Sequence, residues 1–262
     1  MQNITDPICL ASMNLVNAAK PFVIVFTGLL VLGGCDSGPS TEGNTMPLEQ
    51  PASAVYQNDS WQLRRHAEFN EIARRGDVDL VFLGDSITQQ WEDSGREVWD
   101  QYYSTRKAAN FGISGDQTQH VLWRIEHGNF DGIHPKAIVV LIGDNNALAG
   151  KSAQEIADGV MAVVKKLRDK VPESKILLLA IFPSGEQPTY PPRKRAVAAN
   201  AIFRNITDGK MILYLDIGDV FTNLDGSISK AIMPDFDHLS PTGYGLWAEA
   251  IEPVVKDLMG EK

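Results

Sequence analysis

The chain has 262 residues, 44% of them hydrophobic, and 24 Lys and Arg against 33 Asp and Glu give a formal net charge of −9. That balance excludes disorder and fibrous repeats, and an acidic chain whose longest basic cluster is Arg193-Lys194-Arg195 lacks the electrostatic footprint of a nucleic-acid binder. The two cysteines are Cys9 and Cys35, so residues 36–262 hold no disulfide, thiolate metal site or cysteine nucleophile.

In chain order, the first element is an apolar run over residues 21–34, preceded by Lys20 and ending in Leu32-Gly33-Gly34-Cys35. It is short for a bilayer span but has the length of a signal-peptide hydrophobic region. Its end resembles the lipobox of bacterial lipoproteins. The resemblance implies a lipoprotein-type signal peptide over 1–34 and lipidation at Cys35. It also implies an extracytoplasmic chain on the periplasmic side, in membrane contact through that anchor. The competing reading, a short buried helix with an incidental cysteine, fits poorly with the Gly-Gly-Cys ending and the polar stretch that follows. Residues before Met13 include Asp6 and no Lys or Arg, so Met13 is a candidate start alongside Met1. Residues 35–60 read as the lipidated Cys and a flexible tether, rich in Ser, Thr, Gly, Pro and Gln, acidic and without apolar periodicity.

From residue 61 to 262 one catalytic domain is expected, in which helical and strand patterns alternate. Trp61–Arg75 is helical and is closed by Gly76-Asp77. Strands are predicted at Leu80–Leu83, Ala108–Phe111, Ala137–Ile142, Lys175–Ile181 and Met211–Leu215, each a short apolar run. A helix follows Ser152, whose spacing to Glu155 is that of a capping box, with Ile156, Val160, Val163, Val164 and Leu167 on one face. A last helix runs from Pro241 to Leu258. Alternation of this kind demands right-handed crossovers and predicts a three-layer α/β/α sandwich with a five-stranded parallel sheet.

In such a sheet function collects at the carboxyl ends of the strands. There the sequence places Gly84-Asp85-Ser86, then Gly115-Asp116, then Gly143-Asp144-Asn145-Asn146, and before the last helix Asp235-Phe236-Asp237-His238. These residue types together suit acyl transfer from an ester. A serine hydroxyl needs a base, and a histidine base needs a carboxylate to fix its tautomer. Asp235 and His238 are close enough in sequence to meet within one turn. Asp237 competes for the same role, but immediate neighbours point apart, which favours Asp235. The N–H groups of Ser86 and Gly115 and the Asn145 amide would supply donors to an oxyanion.

These four blocks, in this order, resemble those of SGNH (GDSL-type) hydrolases, and the similarity is to the platelet-activating-factor acetylhydrolase catalytic-subunit branch. Asn110–Asp116, His120–Arg124, Asp235–Ser240 and Gly243-Tyr244 extend it, so that it covers roughly Val78 to Val255. The resemblance implies the flavodoxin-like SGNH fold, Ser86 as nucleophile, His238 as base and Asp235 as its acid. It puts the oxyanion donors on Ser86, Gly115 and Asn145, with no metal or cofactor. Asp144 departs from the branch, which has an uncharged residue there, and a carboxylate pointing inward would disturb the oxyanion site. Thr88 stands where the Gly-x-Ser-x-Gly elbow of α/β-hydrolases has its second glycine, so that family is disfavoured.

The remaining candidates read blandly. His66, His120, His127 and His134 are expected on helix surfaces or loops, and Trp91, Trp123 and Trp247 in packing. Residues 183–192, with four prolines, form either a substrate-side loop or a stiff connection. The expected function is a serine esterase with a shallow site that removes short acyl groups, acetyl foremost, from an ester substrate such as an acetylated carbohydrate. Alternatives are an acetylated phospholipid as substrate, transfer to a sugar hydroxyl, and a catalytically silent binding lipoprotein.

Overall fold

The computed structural model describes residues 54–55 and 59–261. The signal-peptide and lipidation expectations, including Cys35, and most of the 36–60 tether lie outside the described residues. Five apolar runs form the sheet: β1 (Leu80–Gly84), β2 (Ala108–Gly112), β3 (Ala137–Leu141), β4 (Lys175–Leu179) and β5 (Ile212–Leu215). All pair in parallel, in the order β2-β1-β3-β4-β5. The chain therefore leaves β1 toward one edge and returns to build toward the other. This reversal of direction opens a crevice beyond the carboxyl ends of β1 and β3.

Helices cover both faces: α1 (Ser60–Arg75), α2 (Ser86–Gln89), α3 (Arg96–Tyr102), α4 (Thr118–Glu126), α5 (Asp144–Leu148), α6 (Ala153–Lys170), α7 (Pro191–Phe203) and α8 (Pro241–Met259). Side chains alternate along each strand. Val81, Leu83, Val140 and Leu178 join a core with Val121 of α4, Val163 of α6 and Phe203 of α7. Leu80, Phe82, Val139 and Leu177 face the other way, onto Trp91, Tyr103 and the Trp247 face of α8. Burial on both sides is why the strands read as continuous apolar runs. The expected three-layer α/β/α sandwich is the fold observed.

Three differences from the sequence expectation have physical causes. β4 stops at Leu179 rather than Ile181, because the Asn200 side chain takes over both backbone groups of Ile181 (2.9 and 3.0 Å). α7 was not anticipated. It is opened by Pro191 and Pro192 and packs through small residues, Ala196 and Ala199, which leave little hydrophobic periodicity. The domain also begins before residue 61, since α1 starts at Ser60 and the Val55 N–H donates to the Gln119 carbonyl at 3.0 Å.

Candidate active site

The β1–α2 turn is tight. A Cβ on Gly84 would fall 2.2 Å from both the Leu141 carbonyl and the Thr88 hydroxyl, so only glycine fits. Asp85 then caps α2 by accepting from the Ile87 N–H at 3.1 Å, and Ser86 becomes its first residue. From that position the Ser86 Oγ lies 2.9 Å from His238 Nε2, and His238 Nδ1 lies 2.8 Å from Asp235 Oδ2. The other Asp235 oxygen accepts the N–H groups of Asp237 (3.0 Å) and His238 (2.7 Å), so one carboxylate both orients the ring and folds the loop. Between them Phe236 sits at φ +63°, a left-handed conformation that reverses the chain within two residues. Burial pushes the Asp235 carboxyl up, but the His238 ring and these N–H donors outweigh it and hold the group below its usual range. The Asp235 side chain is 57% exposed and that of His238 27%, so the constellation opens directly to solvent.

The expected oxyanion donors come from adjacent loops. Ser86 occupies a helix N-terminus, where its N–H has no intrahelical acceptor. Gly115 takes φ +83° in the loop after β2. Asn145 lies in the first turn of α5, directly after β3, and its amide donates to the Asp116 carbonyl at 3.1 Å beside Gly115. Side chains not singled out for the site in the sequence hold this arrangement. Asn110 clamps the Thr88 and Gln89 carbonyls and receives the Gly112 N–H, while Gln89 receives the Ser114 N–H. Buried Arg124 binds Asp116 (2.8 Å) and the carbonyls of Gly84 and Phe111, tying the end of β1 to the Gly115 loop. Asn110 and Arg124 fall inside the stretches that carry the family resemblance, but the sequence gives no sign of these contacts.

The structure corrects two histidine expectations. His66 and His120 are buried rather than on the surface. His66 is held between Asn70 and Asn129 (3.1 and 3.0 Å), and desolvation followed by the nearby Arg124 charge lowers it to about 4. The His120 ring accepts the Gln117 N–H at 3.0 Å in the cap of α4. Asp144 turns into the protein, against Asp237 and the Ser184 hydroxyl (3.3 Å), and desolvation with the neighbouring Asp237 and Asp85 carboxyls raises it well above the carboxylate range. Asp85, fully buried, is pushed by desolvation up to about 7. Trp91 and Trp247 pack in the core as expected, and Trp123 stacks on His127 at 4.0 Å. Among the described residues no group of three or more His, Cys, Asp or Glu is placed to hold a metal ion.

Residues 82–246 match the GDSL-like Lipase/Acylhydrolase family. The chain belongs to that family. It is 33% identical over 224 residues to platelet-activating factor acetylhydrolase IB subunit alpha2 of Rattus norvegicus, covering 84% of this chain and 95% of the relative. Its fold superposes on a GDSL-like lipase from Bacteroides thetaiotaomicron with a TM-score of 0.61 at 16% identity, covering 74% and 97% of the two chains. An acetylxylan esterase from Geobacillus stearothermophilus, crystallised as a catalytic mutant, gives a TM-score of 0.53 at 18% identity over 70% and 94%. This GDSL acylhydrolase is a carboxylic ester hydrolase.

The raised carboxyls set the pH dependence of stability. Folded Asp85 and Asp144 retain protons that the unfolded chain releases above about pH 4, so their contribution is complete at low pH and is lost as pH rises through about 7 and beyond. His66 acts in the opposite sense, but only below its unfolded value of 6.5. Thermal melts should therefore show Tm falling by at least roughly 2–4 °C between pH 6.5 and 8.5, the share of Asp85 alone, with a smaller fall in Asp144→Asn. A level Tm across that range would contradict the assignment.

Proposed function

We propose that this esterase removes short acyl groups, acetyl foremost, from hydroxyls of a carbohydrate, using Ser86, His238 and Asp235. The observation that carries the reading is the continuous chain of contacts from Ser86 Oγ through the imidazole to Asp235, at 2.9 and 2.8 Å. In this mechanism His238 Nε2 accepts the Ser86 proton as Oγ attacks the ester carbonyl. The oxyanion is met by the N–H groups of Ser86 and Gly115 and by the Asn145 amide. The imidazolium then protonates the departing alcohol, and a water activated by neutral His238 releases the acyl group.

The carbohydrate preference is supported by a cavity of about 350 Å³ beside Asp235 and Asp237. Half-exposed Tyr190 and Leu148 give it apolar walls, and Ser184 and Glu186 give it polar groups. The Tyr190 ring lies directly on Gly185, where a Cβ would fall 2.3 Å away. A fixed aromatic face with carboxylate acceptors suits the C–H and O–H surfaces of a neutral sugar. Among the described residues no Lys or Arg lines this cavity to receive a phosphate. Structural neighbours of the same fold include two acetylxylan esterases. A second reading, an acetylated phospholipid, is favoured by the curated relatives, which are platelet-activating factor acetylhydrolase subunits.

Ser86→Ala should reduce p-nitrophenyl acetate turnover by a factor on the order of 10⁶ with the fold intact, and Asn145→Ala should lower kcat by roughly 10²–10³ with a smaller change in KM. Substantial activity in purified Ser86→Ala would remove it as nucleophile. For the substrate, kcat/KM on acetylated xylo-oligosaccharide should exceed that on a 2-acetyl ether phospholipid. Tyr190→Ala should raise KM for the oligosaccharide alone. The reverse ranking would select the phospholipid.

We also propose, from the apolar run at residues 21–34 and the Cys35 that follows it, that the protein is tethered to a bacterial membrane by acylation of Cys35. In a bacterial host, palmitate label should enter the wild type and be absent from Cys35→Ser. Equal labelling of the two, or none in the wild type, would end this reading.

A further inference from the structure

A second carboxyl group stands behind the imidazole. Asp237 Oδ2 lies 3.8 Å from His238 Nδ1, the same ring atom that binds Asp235. This is beyond hydrogen-bond reach, so Asp237 can act on the ring by charge and leaves its orientation to Asp235. The Asp237 side chain is 26% exposed against 57% for Asp235, so its field is the less screened by water.

Burial pushes the Asp237 carboxyl above its usual range, and the His238 ring and then the neighbouring Asp144 carboxyl act against that rise. Asp237 Oδ1 is enclosed and has no hydrogen-bond donor among the described residues, yet the Asp144 carboxyl lies in hydrogen-bond contact with this side chain. Asp144 in turn receives the Ser184 hydroxyl at 3.3 Å. The titratable groups facing the pair are Asp85 from the β1–α2 turn, with Tyr244 of α8 behind it, and Asp235 and His238 from the same loop as Asp237. No Lys or Arg among the described residues bridges the two carboxyls: Arg124 is committed to Asp116, and Lys230 lies over the Phe236 ring at 5.5 Å. Two carboxyls in contact without a cation do not both ionise, and a proton between them removes the cost of an enclosed acceptor without a donor.

We propose that Asp237, kept ionised by a protonated Asp144 that donates to it, is a positioning residue that shares with Asp235 the stabilisation of the His238 imidazolium. The inference rests on the Ser86–His238 reading above. As Ser86 is deprotonated, its proton moves to His238 Nε2, the imidazolium is held by Asp235 through a hydrogen bond and by Asp237 through charge, and the Asp144 proton stays in place.

The test uses the full chain with p-nitrophenyl acetate, together with NMR titration of the His238 ring, which does not depend on activity. Asp237→Asn should lower kcat by roughly 10- to 100-fold with KM little changed. It should also move the His238 ionisation to lower pH than in the wild type. Adding Asp237→Asn to Asp235→Asn should cost a comparable further factor. Asp144→Leu, which removes the donor, should lose activity as Asp237→Asn does. Asp144→Asn, whose amide can still donate, should recover most of that loss. An unmoved His238 titration with unchanged kcat in folded Asp237→Asn would overturn the proposal, as would an Asp144→Asn variant no better than Asp144→Leu. Ser86→Ala separates the two readings. If it stays active, the nucleophile assignment has failed; if it is inactive while Asp237→Asn is silent, only the second carboxylate is lost.

Discussion

Everything at this site depends on a 2.9 Å contact between two atoms, Ser86 Oγ and His238 Nε2, whose residues are 152 positions apart. Neither sits on a strand, so the sheet alone cannot set their separation. Helix α8 does so. Ser240 caps it, with the hydroxyl accepting from the Gly243 N–H and donating to the Ala231 carbonyl, which places His238 two residues upstream of the cap. One turn into the helix, the Tyr244 hydroxyl donates to the Ile87 carbonyl at 2.6 Å, fixing α2 one residue beyond Ser86. Both partners are thus measured from one rigid helix, itself anchored by Trp247 against Phe82 and Trp91. A hydroxyl and an imidazole are useful to each other only within a few tenths of an ångström, and a buried aromatic cluster is stiff enough to hold that tolerance.

The opposite wall is held by polar groups. Arg124 carries a full charge into the interior, and its carboxylate partner Asp116 is itself buried, an arrangement with a large desolvation cost. The guanidinium has five donors in a fixed fork and uses them on two side chains, Asp116 and Asn129, and on the carbonyls of Gly84 and Phe111. A hydrophobic residue in its place would fill the volume but leave the buried Asp116 carboxylate without its cation and remove every one of these bonds. The Gly115 loop and the end of β1 are therefore fixed relative to one another by directional bonds, as donors aimed at a developing oxyanion require.

The fold was legible in the sequence because a sheet buried on both faces leaves uninterrupted apolar runs, and because Ser152 with Glu155 and Pro241 mark two helix starts. Ser86, Gly115, Asn145, Asp235 and His238 were legible because each block is short and its residue types are chemically restricted. Less visible was whatever depends on contacts between distant segments. Helix α7 packs through alanines, which carry little amphipathic signal. His66 reads as one more polar residue on α1 until Asn129 is seen to fold over it. Asp144 reads as a charge beside the oxyanion site, and only the folded chain turns it onto Asp237, with Ser184 on its other side. The 183–192 segment left two readings open, and its folded place is on the cavity beside Asp235.

That cavity wall is not mechanically separate from the Asp235–His238 loop. The Gly185 N–H donates to the Phe236 carbonyl at 2.7 Å, and the Glu186 carbonyl accepts from Ile228. The wall therefore hangs from the residue that separates Asp235 from Asp237. A shift of the backbone at Ser184–Glu186 that alters which molecule fits would also pull on the strained Phe236 backbone, and through it on the imidazole, whereas the Tyr190 side chain takes no part in that link. Leu148 meets the same cavity from α5, so an exchange of its exposed side chain alters the cleft without passing through the Gly185–Phe236 hydrogen bond.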